Sequence, residues 1–269
     1  MPASSRPWSS PDRSSDVPRR ASRSPSIGYV IDNTVTTYNA NSVAGAVSGG
    51  RVRRSRGCCP GSTTRGRKAD RWPTRTSAPP TRCPGDALTI QYKLNPNSVY
   101  SDGVPMSCDD LVLTWAANSG RFPMFDAAST AGYSDIDRVD CQTGAKDAVV
   151  RFKAGRNFTD WKSLFGATSM MPAHVVASAA GVPDIVAAVQ NSDADALTRV
   201  ADFWNDGWTM APGDLDLAKF PASGPYKVES FSEDEGLVLV ANDRWWGEPS
   251  RHVPDRGVAQ VFRRERADR

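Results

Sequence analysis

The chain has 269 residues, 33 basic and 30 acidic side chains, a formal net charge of +3 and 39% hydrophobic residues. That length supports one large or two modest domains with a real core, and no apolar run is long enough for a membrane-spanning helix. The mild basicity averages unlike parts: residues 85–249 hold 12 basic and 23 acidic residues, net −11, whereas 1–26, 51–84 and 250–269 carry +3, +9 and +3.

Residues 1–26 are rich in Arg, Pro and Ser and contain no Leu, Ile, Phe or Tyr. Such text buries too little apolar surface to offset the entropy of ordering, so a disordered basic N-terminus is expected. It has no apolar signal-peptide core and no lipid-anchor cysteine near its start. Ile27 to Ile31 reads as a short strand, followed by a polar, turn-rich stretch and a small-residue segment that can start a helix. Residues 51–84 then return to Arg, Pro, Gly, Ser and Thr, with nine arginines, one lysine and one acid, Asp70. An arm of this kind can bind a phosphate backbone, but it has one aromatic, Trp72, and no folded reader motif.

From residue 87 the text is that of a folded domain. Leu88, Ile90, Tyr92 and Leu94 alternate on one face of a strand, and Asp102-Gly103 marks a turn. Ser107 caps a helix, with Asp110 three residues on completing a capping-box pattern. Asp109 and Asp110 lie where the helix dipole favours negative charge, which explains them more simply than a metal pair does. Leu111, Trp115 and Ala116 supply the apolar stripe, and the helix is expected to fail near Asn118-Ser119-Gly120. A β-hairpin follows over "IDRVDCQTGAKDAVVRF", turning at Gln142–Lys146. "TDWKSLFG" and "PAHVVASAAG" read as short helices. "DIVAAVQNSDADALTRVADFWNDGW" is helical text broken near Ser192-Asp193. A second hairpin spans "SGPYKVESFSEDEGLVLVAND", with its turn at Glu233–Gly236. This order of elements implies a mixed α/β (α+β) domain.

Candidate chemistry is sparse. His174 is one of two histidines, no G-x-S-x-G elbow accompanies it, and no P-loop or dinucleotide fingerprint occurs. No enzyme, cofactor or metal is expected. Cys58, Cys59 and Cys83 lie in the basic segment without zinc-ligand spacing. Cys108 and Cys141 lie in folded text, as unpaired core thiols or, in an exported protein, as a bridge. Trp115, Trp161, Trp204, Trp208, Trp245 and Trp246 fill core or line a ligand wall.

Two stretches carry a family resemblance. Ser101, Asp102, Gly103, Pro105, Ser107, Asp110, Val112 and Trp115 match an S-D-G-x-P, polar-x-x-D, V-x-x-x-W pattern with a one-residue shift at the valine. Ser223, Gly224, Pro225, Tyr226, Asn242, Trp245, Trp246 and Gly247 match an S/T-G-P-Y, hairpin, N-x-x-W/Y-W-G pattern. The sequence resembles the family 5 extracellular solute-binding proteins of ABC importers, especially an actinobacterial lipoprotein branch with mycobacterial members, over residues 27–50 and 85–249. The resemblance implies part of the first lobe of a periplasmic-binding-protein-like type II clamshell, spanning 27–249 and interrupted by 51–84. It implies a peptide or other small solute as ligand, an ABC permease as membrane partner and the cell envelope as location. Nucleic acid is then not an expected partner, although polyanion binding through 51–84 stays open as the alternative function. Thr37, Tyr38, Asn39 and Asn41, with Ser223, Gly224 and Pro225, are expected to face the ligand. Export implies a Cys108–Cys141 disulfide, with Cα atoms within about 7 Å. Residues 51–84 and the text beyond Gly247 read like GC-rich coding sequence in a shifted frame, with a true basic insertion as the rival. On that reading 250–269 is an irregular basic tail, and the chain is truncated and binds solute weakly or not at all.

Overall fold

The computed structural model describes residues 27–31, 35–47, 74–75, 81–82, 87–156, 158–166, 169–247 and 259–263. The expectations for 1–26 and for most of 51–84 fall outside these residues. Two sheets and a helical layer form the architecture. The first sheet has the order β1-β9-β8-β7, built from Ile27–Ile31 (β1), Tyr226–Ser232 (β7), Gly236–Ala241 (β8) and Ala259–Arg263 (β9). β1 pairs with β9 in parallel and the other pairs are antiparallel.

The second sheet contains Thr74–Arg75 (β2), Thr81–Arg82 (β3), Leu88–Leu94 (β4), Ile136–Cys141 (β5) and Asp147–Phe152 (β6). Its order is β2-β4-β6-β5, with β3 also on β4. Period-2 alternation sends Ile90, Tyr92 and Leu94 of β4 into the core, and Val150 and Phe152 of β6 join them.

Among the described residues five helices accompany the sheets: Val43–Val47 (α1), Cys108–Asn118 (α2), Ala173–Ala180 (α3), Ile185–Gln190 (α4) and Ala194–Asp206 (α5). α2 is the central one, buried at every residue except Asp109. It starts where the capping box demands: Ser107 receives the Asp109 N–H, and the Asp110 carboxylate receives the Ser107 N–H at 3.1 Å. α3 ends at Gly181, whose φ of 62° is the left-handed cap that glycine adopts without a Cβ penalty. Asp184 and Asp193 cap α4 and α5. α3 packs on α5, and α4 on α2. Among the described residues, no helix is long and apolar enough to cross a membrane.

Two expectations change. "TDWKSLFG" forms only a 3-10 turn at Trp161–Ser163. Leu164 is already extended and Phe165 has a φ of 51°, with its N–H held by the Tyr133 hydroxyl at 2.9 Å. Tertiary contacts thus outweigh a weak local helical preference. Residues 259–263 were expected to be irregular and instead form β9, inserted between β1 and β8. Strand pairing satisfies main-chain groups and needs only a short alternating segment, here Ala-Gln-Val-Phe-Arg, so the arginines around it do not prevent it.

Candidate ligand-binding site

The loop after β1 is built almost entirely by its own polar side chains. Thr37 Oγ1 donates to the Trp208 carbonyl at 3.0 Å and accepts the Asn39 N–H at 3.1 Å. Asn39 is fully buried; its amide Nδ2 donates to the Trp204 carbonyl at 2.8 Å, and its Oδ1 accepts the Asn41 N–H at 3.1 Å. Asn41 Nδ2 reaches Asn39 Oδ1 and the Ser169 carbonyl, each at 3.3 Å. Gly45 lets the loop close: a Cβ there would lie 2.2 Å from the Asn39 carbonyl oxygen. Thr37 and Asn39 are therefore committed to shaping the loop.

Tyr38 links this loop to the second candidate segment. Its hydroxyl donates to the Pro221 carbonyl at 3.2 Å, and its ring meets Phe220 edge-on at 5.5 Å. Beyond Pro221 the chain runs through Ala222 into Ser223-Gly224-Pro225. Ser101 and Ala222 exchange two hydrogen bonds, the Ser101 N–H to the Ala222 carbonyl at 2.7 Å and the Ala222 N–H to Ser101 Oγ at 3.0 Å. Asn242 locks the other side. Its Nδ2 donates to the Gly224 carbonyl at 2.8 Å and its N–H to the Pro225 carbonyl at 2.8 Å. The two quoted motifs, around Ser101 and around Ser223, are thus one structural unit. Ser223 is completely buried, and its Oγ has no hydrogen-bond partner among the described residues. Such a group is an exception in a folded protein.

The aspartates at the start of α2 sit in a second polar unit. Asp110 is buried, with Oδ1 accepting the Ala173 N–H at 2.8 Å. Burial pushes its pKa up to about 7, against the pull of two backbone donors. Burial also raises the half-buried Asp109 carboxyl. His174 Nε2 lies 2.8 Å from Asp102 Oδ2, and its ring meets that of Tyr100 at 5.1 Å with a tilt of 56°. His174 thus braces the Asp102-Gly103 turn. A groove of about 350 Å³ runs past Asp109, Asp110, Gly144 and His174. Cys108 and Cys141 form a disulfide with Cα atoms 6.0 Å apart, tying α2 to β5.

Of the tryptophans, Trp115, Trp204 and Trp208 are core, whereas Trp161, Trp245 and Trp246 are half-buried. Sequence reasoning missed Trp204 and Trp208 as the carbonyl anchors of the Thr37–Asn41 loop, because main-chain acceptors leave no mark in the side-chain text. It also missed Phe220 and Pro221, although they directly precede the Ser223 motif.

Comparison with known proteins bears on the family and the fold. The family model of bacterial extracellular solute-binding proteins, family 5 Middle, matches residues 83–267. That range continues through the tail, so the resemblance does not stop at residue 249. An uncharacterised lipoprotein of Mycobacterium tuberculosis is 44% identical over 224 residues, 82% of this chain and 40% of the relative. The oligopeptide-binding protein OppA of the same organism is 27% identical over 160 residues, 59% of this chain and 22% of that protein. Among solved structures, a periplasmic EDTA-binding protein has a TM-score of 0.63 at 20% identity, covering 89% of this chain and 40% of the other. The oligopeptide-binding protein of Thermus thermophilus, complexed with a pentapeptide, has a TM-score of 0.59 at 13% identity, over 88% of this chain and 41% of the other. The chain spans about 40% of the length of the lipoproteins it matches. The fold is that of part of a type II periplasmic binding protein, and the chain belongs to the family 5 bacterial extracellular solute-binding proteins, which are binding proteins rather than enzymes.

Proposed function

We propose that this chain forms part of the substrate-binding component of an ABC importer and that its solute is a peptide. The observation that carries the peptide reading is the 27% identity over 160 residues to a mycobacterial oligopeptide-binding protein. Family membership supports delivery to a membrane permease, and the lipoprotein relatives support a position in the cell envelope.

On this reading the solute meets the half-buried Thr37, Asn41 and Pro225, and the buried Tyr38, Asn39, Ser223 and Gly224 shape the wall behind them. Its stiffness supports the assignment, since a loop already ordered by Trp204, Trp208 and Asn39 loses little entropy on binding. The half-buried Asn41 side chain offers a polar handle for a peptide main chain, whose N–H and C=O groups are the features every peptide shares. Thr37 and Asn39 act by holding Tyr38 and Asn41 in place.

Calorimetry with a mixed pentapeptide library on the 269-residue polypeptide is the test. Peptide binding in about the millimolar range is expected, because one wall of a clamshell leaves the ligand half solvated and little surplus after the cost of association. Saturable binding of a sugar or chelated metal with no binding of peptides overturns the peptide reading.

A further inference from the structure

Beyond solute binding, the start of α2 holds a second set of chemically active side chains. Cys108 Sγ, Cys141 Sγ and an Asp109 carboxylate oxygen all lie within 4.8 Å of one another. We propose that the Cys108–Cys141 disulfide, once reduced, becomes a three-donor site for a zinc-class divalent cation, with Asp109 as the third ligand.

Two thiolates and a carboxylate are a donor set that a soft, tetrahedral cation accepts. Zinc–sulfur and zinc–oxygen bonds of about 2.3 and 2.0 Å place donors roughly 3.5–3.8 Å apart around a tetrahedron. Cys141 Sγ and Asp109 Oδ1 already stand 3.8 Å apart. The sulfurs need only separate from bonded contact, and Cα atoms 6.0 Å apart allow that without moving the backbone far.

The frame around the site does not depend on the sulfur bridge. The Cys108 N–H donates to the Ala145 carbonyl at 2.7 Å, and the Gly144 N–H to Asp109 Oδ1 at 2.9 Å. Gln190 Nε2 holds the Cys141 carbonyl at 3.1 Å. These bonds keep the β5–β6 turn against α2 after reduction. Cys108 sits at the first position of α2, where the helix dipole favours a thiolate. Asp109 and Gly144 line the groove described above, so a cation approaches from the Asp109 side, while Cys108 is buried and Cys141 half-buried behind it.

The chemistry balances in two steps. A thiol or phosphine reductant gives two electrons, and with two protons the disulfide becomes two thiols. Cation binding then displaces those two protons to solvent.

The test is a Co2+ titration of the full chain, with Cys58, Cys59 and Cys83 replaced by serine, before and after phosphine reduction. The reduced chain is expected to bind one equivalent with a thiolate-to-cobalt charge-transfer band, and the oxidised chain to show no such band. Cys141→Ser is expected to diminish the band and weaken binding. Asp109→Asn keeps both sulfurs and should raise the dissociation constant about tenfold or more, the scale on which even outer partners of a metal act. Absence of the band from a reduced chain that retains its far-ultraviolet circular dichroism overturns the proposal. So does binding that survives replacement of both cysteines, and unchanged affinity in Asp109→Asn overturns the three-donor assignment.

Discussion

Tyr38 and Pro221 lie 183 positions apart and meet through a 3.2 Å hydrogen bond from the tyrosine hydroxyl to the proline carbonyl. The Phe220 ring closes on the same tyrosine. This contact fastens the loop after β1 to the segment that leads into β7, and so joins the two parts of the proposed ligand surface. Tyr38→Phe is expected to lose the hydrogen bond alone, about 1 kcal/mol. Tyr38→Ala leaves a cavity as well and should lose about 3–5 kcal/mol. Urea denaturation of both variants checks the order and the gap between them.

Ser223→Ala tests the buried hydroxyl. Its hydroxyl has no partner among the described residues, so removing it should leave the urea midpoint unchanged or slightly raised. Peptide binding should stay unchanged, because the buried hydroxyl does not reach the surface. A large loss of stability would show that the hydroxyl is used within the fold.

The Cys108–Cys141 bridge closes a loop with a sequence separation of 33. Reduction, or Cys108→Ser with Cys141→Ser, is expected to remove about 2–4 kcal/mol by freeing the unfolded chain. Paired denaturation curves with and without reductant measure it. Coincident curves would mean that α2 and β5 are held by their hydrogen bonds alone.

Asp110 gives the fold a pH dependence with a definite sign. Burial raises its folded pKa to about 7, above the ordinary carboxylate range, so between about pH 4 and 7 the folded state holds a proton that the unfolded state has lost. That contribution is fully present below the unfolded pKa and is lost as pH rises through about 7. The loss is of the order of a few kcal/mol, at about 1.4 kcal/mol per unit of pKa difference. Asp110→Asn should flatten this slope, which denaturant midpoints at about pH 5 and pH 8 would reveal.

Gly45→Ala should destabilise the Thr37–Asn41 loop by more than about 1 kcal/mol, since the added methyl meets a backbone carbonyl that cannot rotate away. Thermal unfolding measures the loss, and an unchanged midpoint would mean that α1 can shift as a unit.

Local text was enough wherever the signal was local. The capping box at Ser107 and Asp110, the alternation of Ile90, Tyr92 and Leu94, the break before Asp193 and both long hairpins are short-range patterns. Each needs only neighbouring residues to satisfy its hydrogen bonds or bury one face. The motif residues Ser101 and Ser223 were legible too, but their union through Ala222 was not. Tertiary structure alone decided that Asn39 spends its amide on Trp204, that Trp161–Ser163 stays a single 3-10 turn, and that residues 259–263 enter the sheet between β1 and β8. For Asn39 and for residues 259–263 a main-chain group far along the chain supplies the missing partner, and beside the 3-10 turn the distant Tyr133 hydroxyl holds the Phe165 N–H. Main-chain donors and acceptors are the same in every residue, so their long-range pairing leaves no trace in composition or period.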